Sequence, residues 1–458
     1  MNKQQNTFKN TSYYFKNSVT IKILTIGFLI LLLLIPLLMI QGLIQERKNR
    51  RNSVIEEISQ KWGNRQTITG PFIAIPYKMF YKDEKGNTLF NLKYLYILPE
   101  SLNIKGEIKP QIRYRSLFEA VLYNVKLHIT GDFKLPPVSQ LNIDPKNILW
   151  NKSLLLLGIT DMRGIQDKIK IDFNNTPYDM SPGITAGEIA ESGVSTLVKP
   201  LAPEGSNRFS VDLNLNGSEQ IDFIPVGAST NLDLVSSWPS PSFNGAFLPA
   251  EREIKKDGFS AKWKVLSLNR NYPQFWEDDI KHDVKSSAFG VQMILTADIY
   301  QKTTRLAKYA IMFLLFTFAS FFFSEIINKR KIHPIQYILI GMAILLFYTL
   351  VLSLSEYIHF NIAYVLSAMT ITLVISGYAK AIVDNKKFSM TIMGFLTILY
   401  SYLFIILQLE DYSLIMGTLG LLIILGLVMY YTRKINWYEI EIIPDLPKEK
   451  QQNKNKLK

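Results

Sequence analysis

The chain contains no cysteine. Disulfides, thiolate-held metals and cysteine nucleophiles are therefore excluded, although the absence names no compartment. Histidine is nearly as scarce, with four in 458 residues: His128, His282, His333 and His359. No His-x-x-x-His or comparable ligand pair is among them, so His282-Asp283, which follows Asp278 and Asp279, reads as a solvated charged loop rather than the seed of a metal site. Neither a Gly-x-Ser-x-Gly nucleophile elbow nor a Ser-x-x-Lys of the penicillin-binding kind occurs. These absences point away from an enzyme and from any metal or other cofactor.

Charge is also missing, but only in places. Hydrophobic residues make up 48% of the chain. Residues 23–44, 306–327, 335–354, 361–379, 389–407 and 413–431 carry no Asp, Glu, Lys, Arg or His in their interiors, with Lys308, Glu325, Asn361 and Lys380 at edges. Each run is about 20 residues long, which at about 1.5 Å per residue matches a hydrocarbon core about 30 Å thick. They read as six spanning helices, and the last five follow one another too closely for soluble sequence to bury them. An ion path needs ionisable groups at membrane depth, and these runs offer Ser, Thr, Tyr, Gln and Gly instead, which read as packing positions. Lys16 and Lys22 before the first run suggest a signal peptide, but the run exceeds the usual signal core and no Ala-x-Ala-like site follows, so it reads as a retained anchor bent at Pro36.

Lysine and arginine collect before the first run, at Lys329-Arg330-Lys331, at Lys380 with Lys386-Lys387, and from Arg433-Lys434 onward, whereas the loops at Glu356 and Glu410-Asp411 have none. The positive-inside rule then puts both termini in the cytoplasm. Arg47, Lys48, Arg50 and Arg51 argue the other way and are outvoted. The net charge of +13 lies largely in these flanks and the tail, so the lipid bilayer, not nucleic acid, is its expected partner.

After the first run, Val54, Ile55, Ile58 and Trp62 recur at helical spacing up to a stop at Gly63. From about residue 67 to 297 short strand-like runs alternate with Gly, Pro, Asn and Asp; residues 72–77, 89–98, 121–129 and 294–299 are examples, and 211–216 alternates with period two before a turn at Gly217-Ser218. The expected fold is an α+β membrane protein: six transmembrane helices, one before and five after a large antiparallel β-sandwich-like domain inserted between helices one and two. Its parts are a cytoplasmic segment 1–22, a transmembrane helix 23–44, an exported β-rich domain 45–305, a five-helix transmembrane domain 306–432 and a cytoplasmic tail 433–458. Arg113 and Arg115 share one face of a strand, as a charged solvent face or as a hold for an anionic group. Residues 237–249, with three prolines and Trp238, Phe243 and Phe247, suit neither helix nor strand and form a rigid loop, either a structural plug or a binding lip at Trp238-Pro239.

That loop and its neighbours carry a resemblance. Gly70-Pro71-x-Ile73-Ala74-Ile75-Pro76, Leu98-Pro99-Glu100-Ser101-Leu102, Asp161-x-Arg163-Gly164-Ile165, the 238–249 loop, Asp298-x-Tyr300 with Arg305 and Lys308-Tyr309, His333-Pro334-x-Gln336-Tyr337, Phe347-Tyr348, Leu354-Ser355-Glu356 and Trp437-Tyr438 follow in order. Together they resemble the CreD family of inner-membrane proteins, also described as cell envelope integrity proteins. One departure is Ser116, where the pattern expects glycine. The resemblance implies a Gram-negative inner-membrane protein with a periplasmic domain, in a two-component regulon linked to envelope integrity, colicin tolerance and the response to β-lactams. It carries no catalytic residues. The function expected is non-enzymatic support of the envelope through an envelope protein or cell-wall component bound by the periplasmic domain. The alternatives are a transporter or flippase of an amphipathic precursor, and a hydrolase using Asp278 and Asp279. His333 and Gln336, near Trp437, form the expected cytoplasmic contact site, or else simply start a helix at Pro334.

Overall fold

A computed structural model describes residues 19–199, 206–278, 281–295, 299–328, 331–383, 385–409 and 412–433. The chain forms two compact units, Met1–Arg50 with Asp298–Lys458, and Arg51–Ala297.

The first unit is helical. Helix α1 (Val19–Trp62) is 44 residues long and extends past the first apolar run through Val54, Ile55 and Ile58 to the stop at Gly63. The remaining helices are α2 (Ile299–Lys308), α3 (Ala310–Asn328), α4 (Pro334–Ser355), α5 (Phe360–Val383), α6 (Lys386–Gln408) and α7 (Ser413–Thr432). Helices α1, α4, α5 and α6 are each long and apolar enough to cross a membrane, as are α2 and α3 taken together, and α7 covers the last apolar run. The second run is thus not one straight helix: α2 and α3 meet at 43°. At the break the Tyr309 N–H bonds back three residues to Leu306 rather than four, a local tightening that redirects the axis.

The second unit is a two-sheet β domain. Its strands are β1 (Gln66–Lys82), β2 (Thr88–Ile97), β3 (Ser101–Arg115), β4 (Phe118–Phe133), β5 (Leu154–Ile159), β6 (Lys170–Phe173), β7 (Thr176–Asp179), β8 (Ser181–Pro182), β9 (Gly193–Leu197), β10 (Asn207–Ser218), β11 (Gln220–Ile224), β12 (Ser229–Ser236), β13 (Pro241–Gly245), β14 (Glu251–Lys255), β15 (Gly258–Leu266), β16 (Phe275–Glu277) and β17 (Phe289–Met293). One sheet runs β13-β17-β11-β1-β5-β9-β8, with β2 on β1 and β16 on β2; the other runs β14-β15-β12-β3-β4-β10-β6-β7. Apolar residues of both, such as Phe72 and Leu155 from the first and Leu127 and Leu234 from the second, join one buried cluster.

Two pairings depart from the antiparallel expectation. Strands β1 and β11 are parallel, and so are β3 and β12. In each sheet this pair joins strands from the first part of the domain, up to β10, to strands from the second part, from β11 on, and in the first sheet β16 on β2 joins them again. Parallel neighbours need a long crossover connection, and here everything between β3 and β12 supplies it. The strands are also longer than the punctuation of the sequence suggests: β1 has 17 residues and β3 has 15. Gly70-Pro71 is absorbed as a register shift between Thr69 and Phe72, and Pro110 stays paired with Tyr123. Gly217-Ser218 ends β10 instead of turning, and the reversal falls on Glu219, at φ 60°. Residues 294–299 are not a strand, since β17 stops at Met293 and α2 begins at Ile299. Ser116 holds the β3–β4 turn at φ 55°, the left-handed region that favours glycine.

The seam can be tested in a chain that lacks cysteine. Asn231 Nδ2 donates to Asn103 Oδ1 at 2.9 Å across β12 and β3, so N103C/N231C should form a disulfide on mild oxidation, detected by peptide mass spectrometry. An antiparallel register would separate the two, and failure to link would overturn the parallel seam.

Candidate functional site

The end of α1 is built into the β domain. Ile55 packs with Ala120 and Leu122 of β4, supported by Ile58 and Trp62. Trp62 Nε1 donates to the Tyr123 carbonyl at 3.2 Å, and the Arg113 guanidinium lies 4.7 Å over the Trp62 ring. Arg115, two residues on and on the same strand face, pairs with Glu57, which also accepts from Lys61 at 2.9 Å. Arg115 and then Lys61 hold the Glu57 carboxyl at about 2, well below the usual glutamate range. The anionic group that Arg115 holds is thus one from the chain itself, while Arg113 lies against the Trp62 ring.

Beyond Trp62 the chain enters a polar clamp. Gly63 has φ 143°, and a Cβ there would stand 2.6 Å from the Asn216 carbonyl oxygen, so only glycine fits. The Asn64 N–H donates to Asp161 Oδ2 at 2.9 Å. Buried Gln66 uses its whole amide, Nε2 donating to the Asp161 and Asn216 carbonyls and Oε1 accepting from the Asp161 N–H. Burial opposes the charge on Asp161, but the Arg163 guanidinium and the backbone donors Asn64 and Arg163 together outweigh it and hold its pKa below the usual range. The Asp161-x-Arg163-Gly164 motif therefore fastens the helix end. Arg65 pairs with Glu219 at 2.7 Å where the chain passes between the sheets. Nearby Asp222 is held above the usual range, first by burial, against a hydrogen bond from Gln220.

The remaining expected residues fall elsewhere. Trp238 is buried, its Nε1 donating to the Ser240 and Ile294 carbonyls at 3.1 and 3.2 Å, and Pro239 follows it. Phe243 meets Phe259 and Trp263 edge-on, and Phe247 meets Phe289. These rings plug the domain. Contrary to expectation part of the loop is a strand, β13, which among the described residues pairs only with β17; at a sheet edge Pro241 can begin a strand without a missing N–H mattering. His333 and Gln336 form a capping box: His333 Nδ1 accepts from the Ile335 N–H, Gln336 Oε1 accepts from the His333 N–H at 2.9 Å, and Pro334 opens α4. Trp437 and Asp279 lie outside the described residues. Asp278 is exposed, and its charge adds to the burial that holds Glu188 above the usual carboxylate range. Among the described residues no group of His, Asp and Glu could hold a metal.

Sequence reasoning missed two ion pairs in the helical unit. Lys22 Nζ lies 2.7 Å from Glu325 Oε1 and donates to the Ile332 carbonyl, while the Tyr337 hydroxyl donates to Glu325 Oε2 at 3.3 Å; the Glu325 side chain is 1% exposed. Toward the other end of the apolar run Arg47 approaches Glu356 to 3.9 Å, and the Tyr300 hydroxyl donates to the same carboxylate at 3.2 Å. Lys22 and Arg47 are about 37 Å apart along a helix, a little more than a hydrocarbon core, so both charges stand at its margins. Tyr300, Tyr337 and Glu356 belong to the motifs quoted above, which was the one available signal. Between these ends Phe347 packs against Tyr348, Tyr364 and Tyr400.

The chain matches the family described as inner membrane protein CreD over residues 18–438. It is 32% identical over 422 residues to the inner membrane protein CreD of Escherichia coli (strain K12), which covers 90% of this chain and 92% of that protein.

Two outcomes follow from these contacts. Because the pKa of Glu57 is depressed, its contribution to docking is complete above the ordinary glutamate range and is lost as pH falls toward about 2. Amide exchange over residues 54–62, corrected for intrinsic rate, should rise through that window, and R115A should show the raised exchange already at neutral pH. In the helical unit, K22M should cost about 3–5 kcal/mol by stranding Glu325, read as a fall in Tm in detergent, and K22M/E325M should recover most of it.

Proposed function

The chain belongs to the CreD family of inner membrane proteins, and we propose that it supports cell envelope integrity without catalysis, by binding an envelope protein or cell-wall component through its β domain. In this reading the chain crosses the inner membrane six times, both termini are cytoplasmic and the β domain is periplasmic. The distribution of lysine and arginine among the loops supports that orientation. The observation that carries the reading is that α1 is itself a part of the β domain at its end, held by Trp62, Glu57 and the Gly63–Gln66 clamp. A partner that shifts β3 and β4 acts directly on that helix. The motif residues fasten elements together, which suits a binding and relay role better than turnover.

A second reading, a flippase for an amphipathic precursor, is favoured by one feature. A cavity of about 580 Å³ opens between α5 and α6, lined by Tyr364, Thr372, Thr397, Tyr400 and Ser401 among apolar neighbours. The hydroxyls of Tyr348 and Tyr400 are buried without a hydrogen-bond partner among the described residues, so polar capacity is left over inside the helices.

The two readings separate on one pair of variants. W62A/R115A should insert normally but lose envelope protection, measured as survival under β-lactam, while T397V/S401A should protect like the parent. Loss of protection in the second variant, together with lipid-precursor flux above that of empty proteoliposomes, would instead establish the flippase. If W62A/R115A protects fully, the relay through α1 is wrong.

A further inference from the structure

Strand β13 holds the middle of the 238–249 loop by one edge only. Among the described residues its backbone pairs with β17 alone, while Phe243 and Phe247 of the same loop pack against the buried cluster of the domain. A strand held along one edge is where local opening costs least. Any further fastening of β13 therefore governs how often the loop opens.

One row of residues across the sheet supplies such a fastening. Asn244 of β13 pairs with Gly290 of β17, Gly290 with Asp222 of β11, and Asp222 with Thr67 of β1. Residues directly opposite share a face, and since Ile221 and Phe223 point into the core, this row lies on the outer face of the sheet. Gly290 contributes no side chain to it. The Asp222 carboxylate leans into the gap, where a Cβ on Gly290 would stand 2.6 Å from Asp222 Oδ1. Asp222 and Asn244 are two strand spacings apart, about 10 Å between Cα atoms, a span that two side chains reaching over a glycine can close.

The row is short of one hydrogen. Asp222 Oδ2 accepts from Gln220 Nε2 at 2.6 Å, but Asp222 Oδ1 is buried without a partner among the described residues, and so is Asn244 Oδ1. Two buried acceptors on either side of a vacant glycine need a donor between them, and a proton on the carboxyl is the smallest one available.

The surrounding charges do not supply a counter-ion. Arg65 acts on Asp222 from a distance but pairs with Glu219 at 2.7 Å, and Tyr123, which faces Asp222 from β4, donates its hydroxyl to the Gln220 carbonyl at 2.8 Å. The neighbours on the flanking strands, Thr67, Gln292 and Ser242, are uncharged. Burial outweighs the Gln220 hydrogen bond and the Arg65 charge and holds the Asp222 carboxyl above the ordinary aspartate range.

We propose that Asp222 is a proton-operated latch on the 238–249 loop: protonated, it donates from Oδ1 over Gly290 to Asn244 Oδ1 and fastens β13 to β11; ionised, it leaves two facing acceptors and frees the strand. The proton comes from and returns to solvent. A raised carboxyl contributes its fastening fully below the ordinary aspartate range and loses it as pH rises through the native value, so the loop is closed in acid and freer toward neutrality. The latch stands whether or not the domain binds a partner.

The test measures amide exchange of residues 242–245 in the full chain, held in lipid nanodiscs and corrected for intrinsic rate, from the ordinary aspartate range up to neutral pH. Protection should fall as pH rises, by at most about tenfold for each unit by which the native value is raised. In D222N the new amide offers a donor at every pH, so protection should stay at its acid level throughout. N244L removes the acceptor and should lose the extra protection in acid, while N103C/N231C placed in the same chain still forms its disulfide and reports an intact domain. E219Q, which frees Arg65, should keep a titration. Protection that is level with pH in the parent would mean that Asn244 turns its amide to an ionised carboxylate, and would overturn the latch. So would a titration that persists in D222N or N244L, or one that vanishes in E219Q, since each assigns the proton to another group.

Discussion

A hydrocarbon layer offers a peptide group no hydrogen-bond partner and a charge no solvation, and the helical half of this protein is organised by that constraint. The six apolar runs close their own backbone bonds as helices. Charges are pushed to the margins, and two of the carboxylates found there, Glu325 and Glu356, are each met by a cation from α1 and a tyrosine hydroxyl. The ion pairs are not evidence of large stability, since desolvation offsets much of the attraction. Their consequence is positional. An apolar run with Lys22 just before one end and Arg47 just past the other has one depth and one rotation at which both pairs form.

The β half solves a different problem with its own core. Two sheets share one apolar cluster, and two parallel seams together with the β2–β16 pairing tie the early and late parts of the β domain, so neither part closes its sheets alone. The junction with α1 then has little freedom. Gly63 is pressed on the Asn216 carbonyl, Gln66 bonds in three directions, and Arg113 and Arg115 reach back along the helix to Trp62 and Glu57.

What could be read in the sequence was what depends on local pattern. Apolar runs of bilayer length, the helical spacing of Ile55, Ile58 and Trp62, and the shared face of Arg113 and Arg115 were all legible. Strand lengths were not, because Gly70-Pro71 and Pro110 read as breaks, and only a neighbouring strand decides whether such a residue is absorbed. The parallel seams were hidden for the same reason: alternation gives the face of a strand but not its partner. Lys22 and Glu325 each looked like an unremarkable end of an apolar run, and nothing in a run of leucines or phenylalanines says that two ends 303 positions apart will meet. Ser116 was legible as a departure, and its positive φ gives the reason glycine would suit that turn.

The residues that carry the family resemblance are mostly in use. Asp161, Arg163 and Gly164 fasten the helix end, Trp238 and Phe247 fill the domain, His333 and Gln336 cap α4, and Tyr300, Tyr337 and Glu356 complete the ion pairs. A side chain already satisfied by its own chain has little capacity left for a ligand. Among the described residues physical demand remains unmet elsewhere: in the outer edges of the β1–β2 ribbon, in the Glu188 carboxylate oxygens and in the tyrosine hydroxyls between the helices. In a fold whose recognisable motifs are structural, such unsatisfied groups are the better guide to where another molecule belongs.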